Sequence, residues 1–92
     1  MIKSWKHKGL KRFFLTEDTS GINTEHAVRL KVILQLLNVA RSGHQLDLPG
    51  MRLHKLKGEL KDYFAITVSA NWRVIFQFEE EDVILVNYLD YH

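Results

Sequence analysis

Three short stretches of the chain carry residue types able to move protons and hold a phosphate. The first holds His54, Lys55 and Lys57, the second Asn71 and Arg73, and the third, at the C-terminus, Asp90, Tyr91 and His92. Cleaving RNA without a metal needs a base for the 2′-hydroxyl proton, an acid for the departing 5′-oxygen and cations for the charge that builds around phosphorus. Histidine suits both proton roles because its unperturbed pKa, about 6.5, lies near the working pH. Asp90 and His92 with His54 also admit a metal reading, but no His-x-His or His-x-x-x-His pair supports it and a structural zinc usually takes four ligands. Taken singly, each residue has a plainer use. A lone histidine is more often a surface or capping residue, and His7, His26 and His44 are read that way. Lys57, just before Gly58, can be a solvated turn residue, and Tyr91 can finish the core.

What positions these residues is read from periodicity. Residues 2–5 alternate as an edge strand would. Leu10, Phe13 and Phe14 fall on one face of a short helix that begins near Lys8 and ends near Thr19, Ser20 and Gly21. Asn23 or Thr24 can cap a second helix with Glu25 in its first turn. Its apolar stripe is Ala27, Leu30, Leu34 and Leu37, widened by Ile33, Leu36 and Ala40, and Gly43 is placed as its left-handed cap. Leu48, Pro49 and Gly50 then read as a turn, after which the period becomes two. Phe64, Ile66 and Val68 alternate with Ala65, Thr67 and Ser69, and Trp72, Val74, Phe76 and Phe78 alternate with Arg73, Ile75, Gln77 and Glu79, which predicts a hairpin turning at Ala70 and Asn71. A second turn in the acidic cluster leads to residues 83–88, expected as a central strand buried on both faces, and residues 53–57 are expected as a further strand, with imperfect alternation that also admits a bulge or irregular stretch. The order is β-α-α-β-β-β-β: an α+β domain over residues 1–92 with two N-terminal helices on a mainly antiparallel sheet. If Trp72, Val74, Phe76 and Phe78 face the helices, Arg73 emerges on the uncovered sheet face, where His54, Lys55, Lys57 and the C-terminal residues are expected beside it.

Composition sets limits on this reading. A chain of 92 residues, 46% hydrophobic and 26% charged, supports one modest core, so any site lies on its surface. No run approaches the roughly 20 apolar residues of a membrane span, and residues 1–12 lack the apolar stretch of a signal peptide, so a cytoplasmic location without membrane partners is expected. Cysteine is absent, which removes disulfides and thiolate metal sites. The net charge of +2 conceals its distribution, since Glu79, Glu80, Glu81 and Asp82 stand together. Lys3, Lys6, Lys8, Lys11 and Arg12 have no acid among them, and Arg52, Lys55, Lys57 and Lys61 face only Glu59 within residues 52–61. Such clusters suit a polyanion, or are simply solvated faces.

Four segments also carry a family likeness. Ile2-Lys3-Ser4-Trp5-Lys6-His7-Lys8-Gly9-Leu10, His54-Lys55-Leu56-Lys57-Gly58, Ala70-Asn71-Trp72-Arg73-Val74-Ile75-Phe76 and Asn87-Tyr88-Leu89-Asp90-Tyr91-His92 resemble the HigB toxins, a branch of the RelE-like superfamily, in order and nearly end to end. The resemblance implies a RelE-like fold and a ribosome-dependent mRNA interferase: the toxin of a type II toxin–antitoxin pair, inhibiting translation by cutting mRNA in the ribosomal A site, with no cofactor. It further implies a helix-turn-helix antitoxin, HigA-like, and a toxin–antitoxin hetero-oligomer that binds operator DNA through the antitoxin. It places His54, Asp90, Tyr91 and His92 in or beside the catalytic centre, with Lys57, Arg73, Lys55 and Asn71 toward the RNA and its phosphate. One departure stands out: Val68 and Ser69 occupy the region where family members often carry a further arginine, a charge that Lys55 or Lys61 could supply instead.

Two rivals come from other classes. One is a non-catalytic module that holds RNA, ribosome or DNA on its basic face, and the other is a toxin-like chain that acts only through its partner. A binder loses affinity smoothly as cations are removed and salt rises, whereas an enzyme loses turnover on single His or Arg changes while still binding.

Overall fold

The computed structural model describes residues 1–91, and His92 lies outside the described residues. The chain forms helices α1 (Lys8–Thr16) and α2 (Ala27–Val39), then strands β1 (His54–Lys55), β2 (Phe64–Ser69), β3 (Trp72–Glu79) and β4 (Asp82–Asp90). The four strands are antiparallel and follow chain order, β1-β2-β3-β4. This is an α+β arrangement.

Each helix end has a local cause. The His7 ring accepts the Leu10 amide through Nδ1 at 2.9 Å and so caps α1, which stops at Glu17 in the left-handed region. Asn23 caps a 3-10 turn, Thr24–His26, by accepting from the Glu25 amide, and that turn runs directly into α2. Leu30, Ile33, Leu34 and Leu37 are the buried stripe of α2, and they meet Val74, Phe76, Val83 and Val86 from the sheet in one apolar core with Leu10 and Phe13. Each fully buried leucine contributes roughly 1.5–3 kcal/mol by leaving water. The alternation through Trp72, Val74, Phe76 and Phe78 therefore does turn these residues toward the helices.

Four expectations need correction. Gly43 is not a left-handed helix cap: α2 ends at Ala40 in extended backbone, and Gly43 starts a second 3-10 turn, where a Cβ would lie 3.1 Å from the Phe64 ring. Of residues 53–57 only His54 and Lys55 form a strand, extended by one hydrogen bond from the Leu56 amide to the Tyr63 carbonyl at 2.9 Å before the chain enters the 3-10 turn Gly58–Leu60. Residues 2–5 make two isolated parallel bridges to β4, Ile2 with Val83 and Trp5 with Val86, rather than a continuous strand. Finally, β4 is not buried on both faces. Leu85 and Val86 together oppose Phe76, so the strand bulges, Leu85 takes φ 57°, and the inward set becomes Val83, Val86 and Tyr88. The Ser4 hydroxyl accepts the Leu85 amide at 2.8 Å, giving the bulged residue a partner.

The sheet face away from the helices is also less open than expected. Tyr63, Ala65 and Ile75 form a second apolar cluster there, joined by Leu56, Leu60, Leu85 and Leu89. The stretch from Leu56 to Tyr63 thus covers part of that face and leaves the end near the β2–β3 turn exposed.

Gly9 and Gly21 clamp the start of α1 to the turn that follows the helix. A Cβ at Gly9 would sit 2.4 Å from the Gly21 carbonyl oxygen, a backbone atom that cannot swing aside. Gly9→Ala should therefore cost about 1–3 kcal/mol, seen as a lower urea midpoint at unchanged slope.

Candidate active site

The hairpin between β2 and β3 builds one end of the site. Ser69 pairs with Trp72, so Ala70 and Asn71 form a two-residue turn, and Ala70 sits at φ 50°, a conformation that costs an L-residue roughly 1–2 kcal/mol. Arg73 reaches back over this turn: its Nη1 donates to the Ala70 carbonyl at 2.6 Å and to the Trp72 carbonyl at 3.1 Å. The C-terminal end of β4 closes onto the same turn. Asp90 stands opposite Trp72, and the Tyr91 amide donates to the Asn71 carbonyl at 2.7 Å. Asn71, Arg73, Asp90 and Tyr91 are thus brought to one end of the sheet, with Asn71, Asp90 and Tyr91 exposed and Arg73 half-buried.

These residues do not share one face as expected. Arg73 pairs with Leu89 and Thr67 on the outer face, whereas Asp90 lies in register with Trp72 on the helix side, so the site wraps the sheet end. His54 pairs with Ala65, which pairs with Ile75, so it belongs to the outer face with Arg73. Two strand spacings and two residues of rise put their Cα atoms roughly 12 Å apart. Lys55, adjacent to His54, must take the other face. Its ammonium lies 5.6 Å from the Phe64 ring centroid on the helix side, and the expected closeness to Arg73 is not found. Lys57 is exposed at the start of the 3-10 turn Gly58–Leu60. Among the described residues, no ion pair involves Arg73, Lys55 or Lys57. Val68 is a core residue and Ser69 is exposed at the hairpin end, so neither brings a charge.

Behind this end of the sheet lies a cluster that sequence reasoning missed. His26 is not a surface residue: it is only 7% exposed, and its Nδ1 is 2.6 Å from the Tyr88 hydroxyl. The Trp72 ring stands 4.7 Å from Tyr88 and 5.5 Å from His26, and His7 meets Tyr88 edge-on at 5.3 Å. Burial raises the pKa of the Tyr88 hydroxyl, offset in part by a hydrogen bond from the Asn23 backbone amide. The only hint in the sequence was the position of His26 between the Asn23 cap and the helix stripe; its partner is 62 residues away. His7 has the capping role read for it, while His44 is exposed in the 3-10 turn Gly43–Leu46.

The ordered match seen in the four motif segments extends over the chain. Residues 3–92 match the family described as the RelE-like toxin of the type II toxin–antitoxin system HigB. The chain belongs to the HigB toxin family. It is 45% identical to Endoribonuclease HigB of Proteus vulgaris over 92 residues, covering the whole of both chains. It is 32% identical to Toxin HigB-1 of Vibrio cholerae serotype O1, an alignment that takes in all of this chain and 98% of that relative. HigB toxins belong to toxin–antitoxin systems, so membership implies an antitoxin partner. No helix among the described residues is long and apolar enough to cross a membrane.

The cap at His7 makes a pH prediction. Burial lowers the His7 pKa below 6.5, the ordinary value, because the charged ring would lose water, offset in part by a hydrogen bond with its own backbone; a proton on Nδ1 would also displace the Leu10 amide. A depressed histidine pKa stabilises the fold above the unfolded value, and that contribution is lost as pH falls below 6.5 and through the lower folded pKa. His7→Ser keeps a capping oxygen and removes the titration. Its melting temperature should therefore fall less than that of the wild type between neutral pH and pH values well below the histidine range, measured by circular dichroism.

Proposed function

We propose that this chain, acting as one domain, is a metal-independent, ribosome-dependent endoribonuclease that cuts mRNA in the ribosomal A site, inhibiting translation in the cytoplasm. The observation that carries the reading is the joining of Arg73, Asn71, Asp90 and Tyr91 at one end of the sheet through the Trp72–Asp90 pairing and the Tyr91–Asn71 hydrogen bond. The name of the Proteus vulgaris relative supports the reaction class.

In the proposed mechanism the 2′-oxygen attacks the adjacent phosphorus in line, and the bond from phosphorus to the 5′-oxygen breaks. The products are a 2′,3′-cyclic phosphate and a 5′-hydroxyl. His92 or His54 serves as base for the 2′-hydroxyl proton or as acid for the leaving oxygen. Arg73 spends one terminal nitrogen on the two turn carbonyls, which orients Nε and the other terminal nitrogen for a bidentate grip on phosphate. Lys57 adds charge, Tyr91 stacks on or hydrogen-bonds to the nucleotide, and Asp90 with Asn71 orients a histidine or a base edge. Lys55, on the helix side, serves RNA only at the margin of the site. The ribosome supplies message orientation, a contribution that can reach roughly 7 to 11 kcal/mol of a barrier.

A helix-turn-helix antitoxin would cover the exposed apolar side of the helices, where Val28 is 82% and Val39 72% exposed, and would carry the complex to operator DNA. In single-turnover cleavage of an mRNA on purified ribosomes, Arg73→Ala and His92→Gln should each slow the reaction about 10²- to 10³-fold with the fold intact. Wild-type rates in both folded variants would remove these residues from the chemistry. Tight ribosome binding with no cleavage by the wild type would favour the binding module.

A further inference from the structure

The buried pair His26 and Tyr88 has no part in the proposed chemistry, yet it is joined to the site through Trp72 and through β4. Trp72, which both rings touch, sits between Asn71 and Arg73 and pairs with Asp90. Tyr88 precedes Asp90 by two residues and Tyr91 by three. The Tyr88 hydroxyl and His26 Nδ1 stand 2.6 Å apart in the interior, so the two share one proton, with the imidazole tautomer deciding which of them donates. An apolar pair of the same shape would fill this space with little loss of stability, because a buried hydrogen bond gains little net over the water contacts it replaces. What the polar pair adds is direction: it fixes the rotation of Tyr88 and, through the ring contacts, of Trp72.

Resting on the active-site reading above, we propose that His26 and Tyr88 are positioning residues: their hydrogen bond, backed by the Trp72 ring, sets the orientation of the β3 and β4 ends that carry Asn71, Arg73, Asp90 and Tyr91. The pair reaches the RNA only through these residues. Removing the bond should misplace the site by a fraction of an ångström to an ångström while leaving the core and the surface that meets the ribosome unchanged.

Tyr88→Phe deletes the hydroxyl alone, and His26→Leu deletes its partner while keeping the volume apolar. In single-turnover cleavage on purified ribosomes, each folded variant should bind the ribosome as the wild type does and cleave roughly ten- to a hundredfold more slowly. The double variant should be no slower than either single one, since both act through one bond. His26→Asn, whose amide can accept from or donate to the Tyr88 hydroxyl in place of Nδ1, should recover most of the rate. The Tyr91 amide, bonded to Asn71, should exchange with solvent faster in Tyr88→Phe while the Leu37 amide in α2 does not. Folded Tyr88→Phe cleaving at the wild-type rate, beside an inactive Arg73→Ala, would overturn the positioning role and leave the site standing. If Arg73→Ala also cleaved at the wild-type rate, the site reading itself would fall and this proposal with it. Should Tyr88→Phe fail to fold, equal rates for His26→Leu and His26→Asn would overturn the proposal, and a faster His26→Asn would support it.

Discussion

Trp72 faces Asp90 across the β3–β4 ladder, and the residues with chemical capacity hang from that pairing. It puts Asn71 and Arg73 on either side of a ring anchored in the core, and it brings the C-terminal residues to the same turn, where the Tyr91 amide finds the Asn71 carbonyl. Arg73 then closes the arrangement by donating to the carbonyls of Ala70 and Trp72, so the cation that would meet phosphate also holds a turn whose first residue is in the left-handed region. A turn strained in this way persists only because its surroundings over-determine it. Here they do so with an arginine, a backbone hydrogen bond and an aromatic cluster.

The two sides of the sheet have separate tasks. The helix side carries the main core and ends in the rings of Trp72, Tyr88, His26 and His7. On the other side, the smaller cluster around Tyr63, Ala65 and Ile75 covers the middle of the face and leaves Arg73 at one end and His54 at the β1 edge outside it. Arg29 ties the layers together, donating to the Gly50 carbonyl at 2.6 Å and the Thr67 carbonyl at 2.9 Å. The site is therefore held from two directions although the domain is small.

Much of this was legible in residue spacing. The 3.6-residue stripe of α2 and the two-residue alternation of β2 and β3 are strong signals, and the inward set Trp72, Val74, Phe76 and Phe78 followed from them, as did the outward direction of Arg73. The misses have physical causes. The run from Val83 to Tyr88 is apolar throughout, and such a run does not reveal a bulge that shifts which residues point inward. Leu53 and Leu56 suggested a strand over residues 53–57 because nothing local distinguishes a paired residue from one that only packs against the sheet. Parity alone separates His54 from Lys55 once they lie on a strand, and this part of the site was open to a stricter reading. His26 was beyond reach, since its burial depends on a tyrosine far along the chain. The family likeness supplied what spacing does not, namely the reaction and the antitoxin.

On the reading proposed above, this sheet end cuts messages while they are being translated. The most direct measurement is primer extension of mRNA from cells induced for the wild-type chain and, in parallel, for folded Arg73→Ala. New 5′ ends in frame within translated codons are expected for the wild type and none for the variant. Intact messages in both cultures, with soluble and folded protein, would contradict that reading.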